Sequence, residues 1–238
     1  MQFDSTLPQV DPFDALFRHT DLSKPVQAHV SRVYQTLLVL IATGALGSVL
    51  QAKFAIGGLI TFVGVFASIL WFAMNPYRPG DADSERKRTG IACLTSFFVG
   101  ASLGPGLAHV YEAHGDGLIA TAFLATAAMF ACFTAGALIS SKRFIMYASS
   151  VILSASSALM IVSLSAWFYR TPFTDSAITF LGLVIFSAYV VFDTQMMILQ
   201  AERGYKDVPN HALQLFLDFV NLFVRILKLL SKKKERKD

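Results

Sequence analysis

The sequence predicts an all-α, polytopic membrane bundle of six spanning helices. A seventh hydrophobic helix at the C-terminal end is expected either to re-enter the bilayer or to cross it. Three observations carry that prediction. Of 238 residues, 54% are hydrophobic and only 15% charged, and the mean hydropathy is +0.54, a composition that suits a bilayer better than a water-soluble core. Six apolar runs approach the roughly 20 residues that cross a bilayer as a helix. The connections are short, with no linker rich in Pro, Gly or Ser and no internal repeat, so one compact unit is expected over 33–230. An N-terminal segment over 1–32 and a polybasic tail over 231–238 flank it.

In chain order the runs are Val33 to Leu50, Phe54 to Met74, Thr89 to Val110, Gly117 to Leu138, Phe144 to Phe168 and Ala177 to Leu199. The first fifteen residues carry Asp4, Asp11 and Asp14 and no apolar core, so no cleavable signal segment is expected and the first span directs insertion. The seventh segment, Ala212 to Leu230, contains Gln214, Asp218, Asn221, Arg225 and Lys228. Each charge at the centre of a lipid-exposed helix costs about 2.5–3.5 kcal/mol, so protein must shelter it. Small residues at helix-packing spacing, Gly100 to Gly104 and the Ala-rich fourth run, read as close helix contacts. Pro105, between Gly104 and Gly106, is expected to break or bend the third helix. Cys93 and Cys132 both lie in apolar runs and read as buried small hydrophobes rather than a disulfide.

Basic residues sort by side. Arg18, Lys24 and Arg32 precede the first span. The second connection holds Arg78, Arg86, Lys87 and Arg88, the fourth Lys142 and Arg143, and the sixth Arg203 and Lys206. The first and fifth connections hold only Lys53 and Arg170, and the third holds none. Because cytoplasmic loops are enriched in Lys and Arg, the N-terminus is expected in the cytoplasm. The basic tail asks for the same side, which favours re-entry of the last segment over a crossing.

Fourteen of the 16 acidic residues fall in tails or connections, and two, Asp193 and Asp218, fall inside apolar runs. Counted inward at 1.5 Å per residue from a loop over 200–212, they lie about 10 and 9 Å deep, a depth at which neighbouring segments can bring them together. Gln214, Asp218, Asn221 and Arg225 share one helical face. Intramembrane carboxylates are costly and mark ion or proton pathways, although a structural pairing of Asp218 with Arg225, or with Ser and Thr hydroxyls, is the competing reading. Two adjacent carboxylates cannot both ionise cheaply, so a shared proton near neutrality is expected, with the pair acting as a pH-sensitive latch. With Tyr189 and Thr194 beside Asp193, the oxygens suit weak, transient calcium coordination but no tight metal site.

At these residues the chain resembles the Bax inhibitor-1 family, the transmembrane Bax inhibitor motif proteins, in its eukaryotic endoplasmic-reticulum branch. The resemblance runs through "FDALF" at 13–17, "HVSRVY" at 29–34, "ERKRTG" at 85–90, "GASLGP" at 100–105, "FTAGAL" at 133–138, "VFDTQ" at 191–195 and "LFLDFVNLF" at 215–223. It implies a seven-helix fold in which Asp193 and Asp218 form a proton-sensing pair. It also implies a calcium leak from the endoplasmic reticulum, suppression of cell death and association with Bcl-2-type proteins. In bacterial relatives a basic residue latches the closed pair; Arg225 and Arg88 are the candidates here. The "KKKERK" tail, 232–237, also matches the family's charged C-terminus. It reads as a solvated end that fixes topology, or as a contact for anionic lipid or an acidic partner.

Two other function classes compete with a pH-gated channel. An intramembrane aspartyl protease is disfavoured, because such enzymes pair a Tyr-Asp with a Gly-x-Gly-Asp motif, whereas here Asp193 follows Phe192 and Asp218 follows Leu217. A non-conducting scaffold that restrains death-promoting proteins or regulates other channels stays open. HExxH, P-loop and G-x-S-x-G motifs are missing, and no cofactor or enzymatic activity is expected. The five histidines are dispersed, and His211, which could tune the hairpin's pH response, is expected to be a solvated loop residue. Nucleic-acid binding has no support, because the basic residues sort by membrane side rather than into a groove.

Overall fold

A computed structural model of the chain describes residues 23–54, 58–139, 143–168 and 171–235. The "FDALF" stretch and the last three residues of the tail lie outside the described residues. Within them the chain forms α1 (Lys24–Phe54), α2 (Gly58–Met74), α3 (Ala82–His114), α4 (Asp116–Ile139), α5 (Arg143–Phe168), α6 (Pro172–Glu202) and α7 (Val208–Glu235). Six of the seven predicted segments lie wholly in one helix each, and the second, Phe54 to Met74, starts on the last residue of α1 and continues as α2 from Gly58. Helix α1 begins at Lys24, inside the stretch expected to be an N-terminal segment.

Five helices, α1, α3, α4, α5 and α6, are long and apolar enough to cross a bilayer. The 17 residues of α2 reach about 25 Å, slightly short of the ~30 Å hydrocarbon layer. Only three of those residues, Thr61, Ser68 and Phe72, are buried, so α2 is peripheral. Helix α7 is the opposite case. Half of its 28 residues are buried, and it packs on α1, α3, α4 and α6. The charged last segment is therefore the centre of the bundle, and the apolar helices around it take the place of solvent.

Helix α7 also crosses. Its first turn lies beside Arg88 and His29, whereas in its last turn Lys232 Nζ donates to Ser176 Oγ at the start of α6 (3.5 Å) and Lys234 Nζ donates to the carbonyl of His114 at the end of α3 (3.1 Å). Re-entry, the favoured expectation, is thus corrected. Twenty-eight continuous helical residues reach about 42 Å, and loop-charge counting fails because protein, not lipid, surrounds the segment. The start of α1 and the α2–α3 and α6–α7 loops mark one end of the bundle, here called the basic end. The last turn of α7 marks the far end.

Local signals set the boundaries. Asp81 caps α3 by accepting from the backbone N–H groups of Asp83 and Ser84, both at 3.1 Å. Thr171 and Thr174 form a capping box at the start of α6 with Pro172 in the first turn. Gly204, at φ +91°, turns the chain between α6 and α7 where a side chain would be strained. Pro105 does not break α3, which continues to His114. The glycine stripe does bring backbones together: a Cβ on Gly100 would run into the Gly44 carbonyl, and one on Gly47 into that of Phe97. Thr43 and Ser96 join the same α1–α3 seam through their hydroxyls at 2.5 Å. In lipid such close packing replaces the missing hydrophobic drive. Cys93 is half-buried, and Cys132, contrary to expectation, is exposed on the bundle surface; both are free thiols.

Candidate functional site

The short turn between α6 and α7 fixes the geometry of the site. Asp193 precedes the end of α6 by about 14 Å of helix, and Asp218 follows the start of α7 by about 15 Å. Both carboxyls therefore stand at matching heights on the hairpin, further from the turn than the 9–10 Å counted from a loop over 200–212, because both helices extend into that stretch. The two carboxyls stand close enough to interact directly. A carboxylate only accepts, so a hydrogen bond between them would require a proton on one. Asp218 is 6% exposed with its Oδ2 unpartnered, and Asp193 is half-buried. Phe219, next to Asp218, packs edge-on against Phe123 and Phe130 of α4, with centroids 5.6 and 5.7 Å away. Thr194, next to Asp193, lies 3.4 Å from the Tyr34 hydroxyl, which donates to Thr134 at 3.4 Å.

The rest of the predicted stripe does not converge on this pair. Gln214 is exposed. Asn221 donates to the carbonyl of Leu217 on its own helix (2.8 Å), and the Tyr189 hydroxyl accepts from Ser156 on α5 (3.0 Å). Arg225 lies about 10 Å further along α7, donating to the Ile178 carbonyl (3.0 Å) and stacking on Phe186 at 4.8 Å. It rests where a side chain on Gly182 would stand. Neither candidate latch residue touches the pair. Among the described residues no group of three or more His, Cys, Asp or Glu could hold a metal ion.

Arg88 belongs to a second polar cluster, at the basic end, that sequence reasoning missed. Its Nη2 pairs with Asp207 Oδ2 at 2.6 Å, and both side chains are buried, 6% and 0% exposed. Arg88 also donates to the carbonyls of Asn75 and Phe72 and covers the Phe72 ring. Asp207, one of the acids that the sequence places in a connection, caps α7 by accepting from Asn210 N–H (3.3 Å) and accepts from the Tyr205 hydroxyl (3.2 Å). Burial, then the Asp207 carboxylate, push the Tyr205 phenol above its ordinary pKa.

His211, expected in solvent, is 2% exposed. Its Nε2 donates to Gln200 Oε1 (2.9 Å), which leaves Nδ1 to accept from His29 Nε2 on α1 at 3.0 Å. The only hint in the sequence is that both histidines stand near helix starts at the basic end.

A seven-helix membrane bundle with two carboxyls facing each other between its last two helices is the class of protein these features define. The chain belongs to the Bax inhibitor-1 family. Residues 26–235 match the family described as "Inhibitor of apoptosis-promoting Bax1". It is 34% identical over 232 residues to "Probable Bax inhibitor 1" of Paralichthys olivaceus, covering 94% of this chain and 96% of the relative. Against "Bax inhibitor 1" of Homo sapiens the identity is 32% over 232 residues, with the same coverage. The rice protein of that name, from Oryza sativa subsp. japonica, is 36% identical over 222 residues, covering 92% of this chain and 86% of the relative.

Proposed function

We propose that this chain is a pH-sensitive calcium leak channel of the endoplasmic-reticulum membrane that suppresses cell death, and that the Asp193–Asp218 pair gates it. The observation that carries this reading is the direct approach of two carboxyls, Asp193 and Asp218, between the two helices of one hairpin. Removing a proton shared by the pair replaces an attraction by a repulsion of about 4 kcal/mol for charges about 4 Å apart at an effective dielectric near 20. A free-energy change of that size biases a two-state equilibrium by about a thousandfold. It acts between α6 and α7, the two helices of one hairpin. Calcium would be met transiently by the same carboxylate oxygens. With the basic loops on the cytoplasmic side, the N-terminus is cytoplasmic and α7 delivers its last turn to the lumen.

The test is calcium flux through the purified protein in liposomes over a pH series. Flux that responds to pH in the wild type and not in Asp193→Asn or Asp218→Asn is the expected result. Flux and pH response unchanged in both variants would end the gating reading.

One observation favours a non-conducting scaffold that restrains Bcl-2-type or other death-promoting proteins, or that regulates other channels. The cavity beside α7 is mostly apolar, walled by Phe123, Phe216, Phe219 and Phe223, with Ser48 and Asp116 its polar residues. Absence of flux from pure protein, together with cell protection that survives both aspartate changes, would establish that alternative.

A further inference from the structure

The seam between α6 and α7 continues past the carboxyl pair towards the far end. Phe186 precedes Asp193 on α6 by seven residues and Arg225 follows Asp218 on α7 by seven, so on this antiparallel hairpin both stand about 10 Å beyond the pair. There the Arg225 guanidinium fills the seam. It donates to the Ile178 carbonyl (3.0 Å), covers the Phe186 ring at 4.8 Å and occupies the notch that Gly182 leaves in α6. A cavity of about 160 Å³ adjoins it, lined by Ile178 and Thr179 of α6 and by Asn221, Val224 and Lys228 of α7. Asn221 follows Asp218 by three residues, so polar side chains run from the pair to Arg225 along one helical face.

The charge of Arg225 is not cancelled. None of the ion pairs among the described residues includes it, and a guanidinium keeps its proton at every physiological pH. Arg88 is the contrast: Asp207 stands 2.6 Å from it, and that pair carries no net charge. A carbonyl dipole and an aromatic face hold the Arg225 cation in place without removing its unit charge. What remains is a positive charge about 10 Å from the two carboxyls, inside protein, where salt screens it weakly. At that distance and an effective dielectric near 20, a unit cation at the carboxyl pair is disfavoured about fifteenfold, and a divalent one by the square of that factor.

We propose that Arg225 is the cation barrier of the α6–α7 seam, slowing passage between the pair and the far end and discriminating against divalent relative to monovalent ions. The proposal rests on the leak reading and deepens it. It gives a residue that touches neither carboxyl the task of keeping calcium passage slow. Gly182 is the positioning residue, since a side chain there displaces the guanidinium from the seam.

The test is calcium and potassium flux, measured separately through the full-length protein in liposomes without a membrane potential. Arg225→Gln is expected to raise the calcium-to-potassium flux ratio about tenfold once salt screening is allowed for, and Gly182→Ala to move it in the same direction. Arg225→Lys, which returns the charge, should restore the wild-type ratio, a rescue that a packing role does not produce. A ratio unchanged in both Arg225→Gln and Gly182→Ala overturns the proposal, as does an Arg225→Lys protein that behaves like Arg225→Gln. The barrier and the gate fail separately. Flux whose pH response survives both aspartate changes ends gating by the pair, and the ratio still decides the barrier. Flux absent from the wild type and from Arg225→Gln overturns both.

Discussion

Replacing Arg88 by Met removes the charge that neutralises Asp207 and tests whether the basic-end cluster fastens α7 to the bundle. At 2.6 Å the pair attracts by about 6 kcal/mol at an effective dielectric near 20. Desolvating two buried ions costs several kcal/mol each, so the intact pair contributes little net stability. The consequence of breaking it is asymmetric. Without Arg88, the Asp207 carboxylate keeps only the Tyr205 hydroxyl and one backbone N–H in a fully buried position. Without the Asp207 charge, Arg88 still has two backbone carbonyls and the Phe72 ring. Arg88→Met is therefore expected to cost about 3–5 kcal/mol, and Asp207→Asn about 1–3 kcal/mol.

The double variant should cost less than Arg88→Met alone, because Asn keeps the cap and no unpaired charge remains. Denaturant unfolding of the purified protein, followed by circular dichroism, measures all three. Single costs that add within about 0.5 kcal/mol would refute the coupling and with it the view that a charged pair anchors the start of α7.

Other outcomes follow from single contacts. Gly100→Ala should destabilise by about 1–3 kcal/mol, since its Cβ meets the backbone of Gly44, which cannot swing aside. Gly136→Ala, with open space around its Cβ, should be neutral or stabilising, and thermal unfolding of the two distinguishes them. His211→Ala strands His29 Nε2 and Gln200 Oε1 and should cost about 1–3 kcal/mol, measured in the same way. Gly182→Ala expels the Arg225 guanidinium from the Ile178 carbonyl and the Phe186 ring, so its unfolding curve should match that of Arg225→Gln, and the double variant should add nothing.

The bundle was legible in the sequence because bilayer thickness imposes a length on every apolar run, and each of the seven runs marks one of the seven helices, with only the boundary at Phe54 misplaced. The carboxyl pair was legible for a related reason: an acid inside an apolar run must find a partner, and a short loop limits where that partner stands. What failed were inferences that treat loops as solvated. Asp207 and His211 sit between two predicted spans, yet both are buried, because the α6–α7 turn folds onto α1 and α3 instead of projecting into water. Their partners, Arg88 and His29, are 119 and 182 residues away, a separation over which periodicity carries no signal. The direction of α7 failed likewise, since hydropathy rates a helix against lipid while this one is surrounded by protein.

That misreading identifies what α7 is built to do. A central helix made only of Leu and Phe would be held equally well at many rotations, because hydrocarbon contacts in a membrane discriminate weakly between faces. Helix α7 instead carries polar groups at three heights, each matched to a different neighbour. Asp207 and His211 meet α3 and α1 at the basic end, Asp218 meets α6 at mid-depth, and Arg225 meets α6 again beyond it. A rotation that releases one of these contacts misaligns the others, since they sit on one rigid rod. Charge on the central helix therefore specifies its rotation and register.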